Sequence, residues 1–311
     1  MATDGHITYP CPYKNLIFIH LLAQATTIML KIRSLLVRLL AATVGRVLLF
    51  LQPDRARKLG AKGMTVVMGS SHLSPTERLM RRAILKRAEQ NTDVTPLANL
   101  HKTFWTKQGA QFFSYTEKRL EEVHLPYCEF MFQLLREELQ AKGRTDLTLV
   151  EIGCGSGLVL ERLSATFPEV KEFIGIDLCE EQIKSNWERF KNNTKLNFIT
   201  ADAIDWIDTY HMGNTIFLTF MGVYEYFPQE VLHTFFKKLY TLENSIILAI
   251  EPNGIDHDFE KNPNSEIYGP ESSFSHNYVQ LLESSRFRVW YSAKKRIDGD
   301  ENYISFIGAT N

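Results

Sequence analysis

A glycine-rich segment directly after an apolar run is the feature that most limits how this chain can fold. Residues 150–157 read VEIGCGSG, with glycine at positions 153, 155 and 157. Glycines at this spacing allow a tight turn from a strand into a helix and let a ligand approach the backbone. The first N–H groups of the helix that follows can bind a negatively charged or carboxylate-bearing group. The segment therefore predicts a ligand-binding strand–loop–helix unit.

The part of the chain beyond residue 146 alternates short apolar runs with helical stretches, which indicates βαβ units and a mostly parallel sheet. The last two runs are joined by residues 294–301, too few for a helical crossover, so they form an antiparallel hairpin. The predicted strands are 147–152, 173–176, 196–200, 215–220, 246–250, 288–293 and 302–308. The predicted helices between them are 158–167, 180–192, 228–242 and 275–284.

Acidic residues end the first three predicted strands. Glu151 lies just before the first glycine, Asp177 follows Gly153 by 24 residues, and Asp202 closes the third strand. In nucleotide-binding sheets, an acid at about the position of Asp177 reaches the pair of ribose hydroxyls. All three acids fall at the edge of an open α/β sheet where ligands bind.

Four segments in this order resemble the class I S-adenosylmethionine-dependent methyltransferase family. They are VEIGCGSG at 150–157, GIDLCEEQI at 175–183, TADA at 200–203 and FLTFMGVYEYF at 217–227. The resemblance covers residues 147–310. It implies a Rossmann-like α/β fold whose seven-stranded, mostly parallel sheet ends in an antiparallel hairpin, here preceded by an α-helical N-terminal extension. It also implies S-adenosylmethionine as methyl-donor co-substrate and no metal.

The resemblance implies a role for each matching residue of the cofactor site. Glu151, Gly153, Cys154 and Gly155 would line the methionine part, and Asp177 would hold the ribose hydroxyls. Leu178 and Gln182 would flank the ribose and adenine. Asp202 and Ala203 would contact the adenine. Phe220 and Met221 would lie beside the sulfonium.

Candidate residues for the methyl acceptor follow the fourth and fifth predicted strands. Tyr224 and Glu225 lie in the first of these loops and His257 in the second. His257 can act as a general base near neutral pH, or it can be a surface histidine without a role. Aromatic residues between 104 and 115 predict either a lid that excludes water or simple hydrophobic cover of the sheet. The chain is therefore divided into a helical extension (1–100), a helical lid (101–146) and a methyltransferase domain (147–311).

The favoured function is methyl transfer to the oxygen or nitrogen of a small molecule, which can be lipophilic or aromatic. A dehydrogenase is disfavoured because the NAD fingerprint would place glycine where Leu158 stands. A protein or nucleic-acid methyltransferase is disfavoured by the formal net charge of −1 and the lack of a basic recognition domain, so no nucleic-acid partner is expected. The intact loop and acids argue against a scaffold protein on the same fold.

The first sixty residues carry eight Lys or Arg against two Asp. The charge-free run 15–30 is shorter than the ~18–20 residues of a membrane span, and Arg38 and Arg46 interrupt the next apolar run, so we expect no span. The apolar stripe of this second run predicts a helix that packs on the main domain, on a second copy of the chain, or on a membrane surface. Four scattered cysteines indicate reduced thiols in a cytoplasm-like compartment.

We expect the chain to bind S-adenosylhomocysteine, and Asp177→Ala to weaken that binding by about 1.5–3 kcal/mol, the range for hydrogen bonds to a charged group. Isothermal titration calorimetry measures both affinities. Tight NADH binding without any response to S-adenosylhomocysteine would contradict this prediction.

Overall fold

A seven-stranded sheet lies at the centre of the protein. The computed structural model describes residues 36, 39–64, 73–297 and 302–311. The strands of the sheet are β1 (Thr148–Ile152), β2 (Glu172–Asp177), β3 (Leu196–Thr200), β4 (Thr215–Phe220), β5 (Ile246–Asn253), β8 (Arg288–Arg296) and β9 (Tyr303–Thr310). Their order is β3-β2-β1-β4-β5-β9-β8, with β9 antiparallel to both of its neighbours and the other pairs parallel. The predicted fold class is confirmed, including the terminal hairpin.

Helices precede the sheet and connect its strands. A π-helical turn (Ala41–Gly45) leads into α1 (Arg46–Leu51), and a second π-helical turn (Leu120–His124) joins two long helices, α4 and α5. The α-helices that precede the sheet are α1, α2 (Pro53–Gly60), α3 (Pro75–Glu89), α4 (Thr95–Arg119) and α5 (Leu125–Ala141). Those that follow β1 are α6 (Leu158–Thr166), α7 (Glu180–Arg189), α8 (Ala203–Trp206), α9 (Gln229–Tyr240) and α10 (Tyr278–Ser284).

The central strands are covered on both faces, which explains why they read as continuous apolar runs. Every residue of β1 and β4 is buried. Cys128, Met131 and Phe132 of α5 pack with α6 against one face of the sheet. Phe235 and Phe236 of α9 pack with α10 against the other face. The two apolar layers leave only the ends of the strands free to form a site.

The structure contains a small hairpin that the sequence analysis does not predict, just before the predicted helix 275–284. β6 (Glu266–Tyr268) and β7 (Ser273–Ser275) form a separate two-stranded sheet. The predicted helix 275–284 is therefore wrong at its start, because Ser275 belongs to β7 and α10 begins at Tyr278. The helix begins late since the side chain of Asn277 caps it by accepting a hydrogen bond from the Gln280 N–H.

The helices α4 and α5 and the π-helical turn between them form one unbroken helical run from Thr95 to Ala141. Pro126 has no N–H and its ring excludes the carbonyl of the preceding turn, so a regular α-helix cannot pass through it. The π-helical turn ends one residue before Leu125-Pro126 begins the next helix, and Leu125 keeps helical backbone angles of φ −61° and ψ −50°, so the chain stays helical through Pro126.

The described part of the N-terminal extension packs on α3 through one face. A Cβ atom at Gly45 would lie 2.8 Å from the Leu79 carbonyl oxygen, so only glycine allows this approach. The opposite face leaves Leu36, Leu39, Leu40, Val44, Val47, Phe50 and Leu51 exposed. The predicted apolar run 15–30 lies outside the described residues. None of the described helices combines the length and the hydropathy needed to cross a bilayer.

Candidate active site

A cavity of about 540 Å³ opens at the carboxyl ends of the parallel strands, and we call it the switch-point cavity. It lies where the sheet order reverses between β1 and β4, the place at which open α/β sheets bind ligands. One part is lined by residues at the ends of β1, β2 and β3. The other part is lined by the loop after β4 and by the β6–β7 hairpin.

The glycine-rich loop is held in place by the end of β2. The N–H groups of Gly153 and Cys154 both donate to the carbonyl of Ile176, at 2.8 and 3.0 Å. The Asp177 carboxylate accepts hydrogen bonds from the N–H of Gly155 at 3.0 Å and of Cys179 at 2.8 Å. Burial raises the pKa of Asp177 to about 6, although these hydrogen bonds lower it. A carboxylate has about four acceptor sites, so Asp177 can still accept from a hydroxyl pair.

The residues predicted for the cofactor fall into two groups. Those that line the cavity are Gly153, Asp177, Leu178, Asp202, Ala203, Phe220 and Met221. Those that do not line it are Glu151, Cys154, Gly155 and Gln182. The second group supports the loop: Gln182 donates to Asn186, and Asn186 donates to the Gly155 carbonyl, each at 2.8 Å. These four residues lie behind the lining of the cavity, and their direct contact with a cofactor stays a prediction.

Glu151 is buried within β1 although it carries a carboxyl group. Burial and the neighbouring Asp177 carboxylate raise its pKa well above the usual range, so the side chain is held neutral. One of its oxygens, Oε2, has no hydrogen-bond partner in the part of the chain that the structure describes. A buried polar atom of this kind is costly, and such costs concentrate at functional sites.

The first part of α4 forms a wall of the cavity. Lys102 forms an ion pair with Asp202, and Trp105, Phe112 and Phe113 line the cavity farther along the helix. Gly155 has φ +48°, and a Cβ atom there would lie 2.8 Å from the Phe113 ring, so this loop requires glycine for both reasons.

The wall is narrower than the predicted lid. Tyr115 is exposed and Phe104 is buried away from the cavity, because they lie on other faces of the same helix. The helix α5 packs on the sheet and contributes no lining residue.

The loop after β4 turns sharply at the cavity and is fixed from two sides. Met221 has φ 59°, an unusual value for a residue other than glycine, and such conformations cluster at ligand sites. Glu251 at the end of β5 accepts hydrogen bonds from the N–H groups of Val223 and Tyr224. The His276 ring hydrogen-bonds the Tyr224 carbonyl at 3.0 Å. These contacts hold a 3₁₀ turn (Tyr224–Tyr226) that carries Glu225.

Of the three predicted catalytic residues, only Glu225 lines the cavity. Tyr224 is fully buried and packs among Phe235, Phe236 and Tyr278, because the 3₁₀ turn directs neighbouring side chains to different sides. His257 is buried away from the cavity, where its ring bonds the Ser275 hydroxyl and the Asn262 carbonyl. Neither residue lines the cavity, and a catalytic role for either stays a prediction.

Sequence reasoning missed the β6–β7 hairpin as a source of site residues. The hairpin brings Tyr268, Glu271 and Ser273 to the cavity beside Tyr226. The Tyr268 hydroxyl donates to Glu225, and the Tyr226 hydroxyl donates to Glu271 at 3.1 Å. The signal for this hairpin is Gly-Pro at 269–270 between two short β-prone runs.

Two buried carboxyl groups beside the loop after β4 have strongly raised pKa values. Burial, together with the neighbouring Glu271 carboxylate, raises the pKa of Glu225 to about 8, although a hydrogen bond from Tyr268 lowers it. Burial raises the pKa of Glu251 to about 7. Within the described ranges, no group of three or more His, Cys, Asp or Glu side chains has the arrangement of a metal site.

Comparison with known proteins identifies the domain. Residues 149–244 match the family described as "Methyltransferase domain", which spans β1 to the turn before β5. These residues therefore match a methyltransferase domain, and the strand order of the sheet is the one that the sequence resemblance implies. S-adenosylmethionine is the methyl donor of such a domain, and the cavity with Asp177 and Asp202 on its wall fits it. A search of curated protein sequences finds no match.

Several solved structures resemble the chain. A SAM-dependent methyltransferase from Leishmania major is 14% identical, with a TM-score of 0.49, over 72% of this chain and 88% of that one. The N-methyltransferase NodS from Bradyrhizobium japonicum, solved with S-adenosyl-L-homocysteine, is 14% identical, with a TM-score of 0.45, over 73% and 96%. Magnesium protoporphyrin IX methyltransferase from Synechocystis, with bound SAH, is 14% identical, with a TM-score of 0.42, over 60% and 83%.

We expect the free energy of unfolding to fall as the pH rises from about 6.5 to about 8.5, by about 1–3 kcal/mol. The pKa values of Asp177, Glu251 and Glu225 are raised to about 6, 7 and 8, so the folded state holds protons that the unfolded state has already released. The buried His101 and His276 have lowered pKa values of about 4 and 3, and they act below this window. Urea unfolding at the two pH values measures the difference.

The variant Glu225→Gln is expected to remove the larger part of this pH dependence, because the pKa of Glu225 lies between the two pH values compared. Glu283→Gln makes the same chemical change at an exposed position on α10 and is expected to leave the dependence unchanged. Equal pH profiles for all three proteins would show that Glu225 has an ordinary pKa.

Proposed function

We propose that the protein is an S-adenosylmethionine-dependent methyltransferase that methylates an oxygen or nitrogen atom of a small molecule. The observation that carries this proposal is that a single cavity joins the ends of β1, β2 and β3 to a partly aromatic chamber that contains Glu225. A cavity of about 540 Å³ has the size of a small-molecule site, and α4 covers it on one side.

Different walls of the cavity bind different parts of S-adenosylmethionine in this reaction. Bound S-adenosylmethionine supplies a methyl group on a positively charged sulfur. Asp177 binds the ribose hydroxyls, and Asp202 with Ala203 borders the adenine. Phe220 and Met221 lie at the end of β4, between the cofactor part of the cavity and Glu225.

The remaining work is to orient the acceptor and to remove its proton. Methyl transfer gains most of its rate from positioning, and a base is needed only where the acceptor carries a proton. Glu225 is the one of the three sequence-predicted catalytic residues that lines the cavity, so we assign it the role of base. The rings of Trp105, Phe112 and Phe113 exclude water from this region.

We expect Glu225→Gln to lower turnover by about 10²-fold or more, the usual effect of removing a general base. The affinity for S-adenosylhomocysteine should stay within about twofold, because Glu225 contacts the acceptor. Transfer of radiolabel from methyl-labelled S-adenosylmethionine to small amines, phenols and carboxylic acids identifies an acceptor, and calorimetry gives the affinity.

Glu283→Gln is the matched control and should keep full turnover. A wild-type protein that does not bind S-adenosylhomocysteine would contradict the proposed function. Full turnover of Glu225→Gln would instead contradict only the role of Glu225, and the site would then act by positioning alone.

We also propose that the exposed apolar face of the N-terminal extension contacts an anionic membrane surface. Phe50 is 85% exposed and Leu51 is 65% exposed at the end of α1. Arg55, Arg57 and Lys58 follow in α2, against one acid, Asp54, so the region carries the opposite charge to anionic lipids. The free, buried thiols of Cys128, Cys154 and Cys179 suit the cytoplasm-like compartment that the sequence predicts.

We expect the protein to float with vesicles made of equal parts phosphatidylcholine and phosphatidylserine, and much less with phosphatidylcholine alone. A double variant, Phe50→Asp with Leu51→Asp, should lose this binding. Tyr115→Asp alters an exposed aromatic residue elsewhere and should keep it. A concentration-dependent dimer that the double variant abolishes, without vesicle binding, would show that a second copy covers this face instead.

A further inference from the structure

The acceptor end of the switch-point cavity combines a buried carboxyl group with aromatic rings. Glu225 is 7% exposed. Around it the cavity is lined by Trp105, Tyr226, Phe227 and Tyr268. The ring centroids of Trp105 and Tyr226 are 5.4 Å apart at an interplanar angle of 59°, so the two rings contact each other beside the cavity.

Among the residues that the structure describes, the groups named as acting on Glu225 carry no positive charge. Tyr268 and Ser273 hydrogen-bond its carboxyl group through neutral hydroxyls, and the charged groups that act on it are the carboxylates Glu271 and Glu251. Among the described residues that line the cavity, Lys102 is the one Lys or Arg, and it is paired with Asp202 at the end of β3. Two strands separate β3 from β4 in the sheet, so Lys102 neutralises the cofactor part of the cavity.

Glu271 differs from Glu225 in its surroundings. Its carboxylate accepts from the Tyr226 hydroxyl and interacts electrostatically with Arg81 of α3. Glu225 is therefore the acid at the acceptor end whose charge the protein itself does not balance. A buried carboxylate without a cation is unfavourable, and a ligand that brings a positive charge removes that penalty. An anionic acceptor would add to it.

We propose that the acceptor is an amine, held as its ammonium ion by Glu225 and by the rings of Trp105 and Tyr226. This inference rests on the proposed methyltransferase function and narrows its oxygen or nitrogen acceptor to nitrogen. Aromatic faces attract ammonium ions through the ring quadrupole, and a carboxylate beside them supplies the full opposite charge. An alcohol or phenol of the same shape uses neither interaction.

The same carboxylate makes the nitrogen reactive. An ammonium ion has no lone pair, so it first transfers one proton to the Glu225 carboxylate, which becomes a neutral acid. The nitrogen lone pair then forms the bond to the methyl carbon while the methyl–sulfur bond breaks and leaves its electron pair on sulfur. The positive charge passes from sulfur to nitrogen, and the proton leaves Glu225 for solvent when the product departs. The pKa of Glu225 is raised to about 8, so the carboxylate accepts this proton where the pH is high enough to ionise it, near pH 8 and above.

The test compares two probes of equal shape that differ by one charge, choline and 3,3-dimethylbutan-1-ol. Calorimetry with protein saturated in S-adenosylhomocysteine, near pH 8.5 where Glu225 is ionised, gives both affinities. We expect choline to bind at least about tenfold more tightly, as a desolvated cation beside aromatic rings requires. Glu225→Gln should remove this preference, and Glu283→Gln should keep it.

Trp105→Leu is a second variant that leaves the carboxylate intact. It should reduce choline affinity and change the affinity of the neutral probe much less. The affinity for S-adenosylhomocysteine, measured for every variant, shows that each is folded.

Equal binding of the two probes by wild-type protein that binds S-adenosylhomocysteine would overturn the amine assignment and leave the methyltransferase function standing. A parallel loss of S-adenosylhomocysteine and choline binding in Glu225→Gln would also overturn it, since the carboxylate would then serve the cofactor. A wild-type protein that binds no S-adenosylhomocysteine would instead contradict the proposed function itself.

Discussion

The parallel pairing of β1 with β2 on one side and with β4 on the other is the constraint on which the rest of the structure depends. Because these strands run in the same direction, their carboxyl ends and the loops that follow them meet at one edge of the sheet. The connections leave that edge on opposite sides at the β1–β4 boundary and open a cleft there. Gly153, Asp177 and Met221 become neighbours of one cavity for this reason alone.

The buried carboxyl groups at this edge of the sheet have different hydrogen-bond partners, and the difference separates those that order the loops from the one that faces the cavity. Asp177 and Glu251 each accept two backbone N–H groups, which order the loops after β1 and β4. Glu225 receives only neutral hydroxyl groups and faces two other acids. The protein therefore uses two carboxylates to build the walls of the cavity and leaves a third with its charge unbalanced. Folding stability is lost at that position, as is common where a site must bind and react.

The helix α4 connects the regions that the sheet does not bring together. Its Lys102 reaches Asp202, its Phe113 covers Gly155, and its His101 ring contacts the Ser272 carbonyl in the β6–β7 hairpin. The Met64 N–H donates to the Leu100 carbonyl, which links the helix to the N-terminal extension. The same helix therefore contacts both the extension and the cavity wall.

The sequence by itself determined the sheet, its terminal hairpin, the glycine-rich loop and the strand end that carries Asp177, because strand periodicity, glycine spacing and short connections are local properties of the chain. It also indicated Glu225 from its place after β4. Only the tertiary structure decided that Tyr224 and His257 turn into the interior, and that Tyr268 and Glu271 arrive from a hairpin some forty residues beyond Glu225. Which side chains face a cavity depends on the direction of a single 3₁₀ turn and on the packing of a distant hairpin. Neither leaves a periodic signal in the residues that it positions.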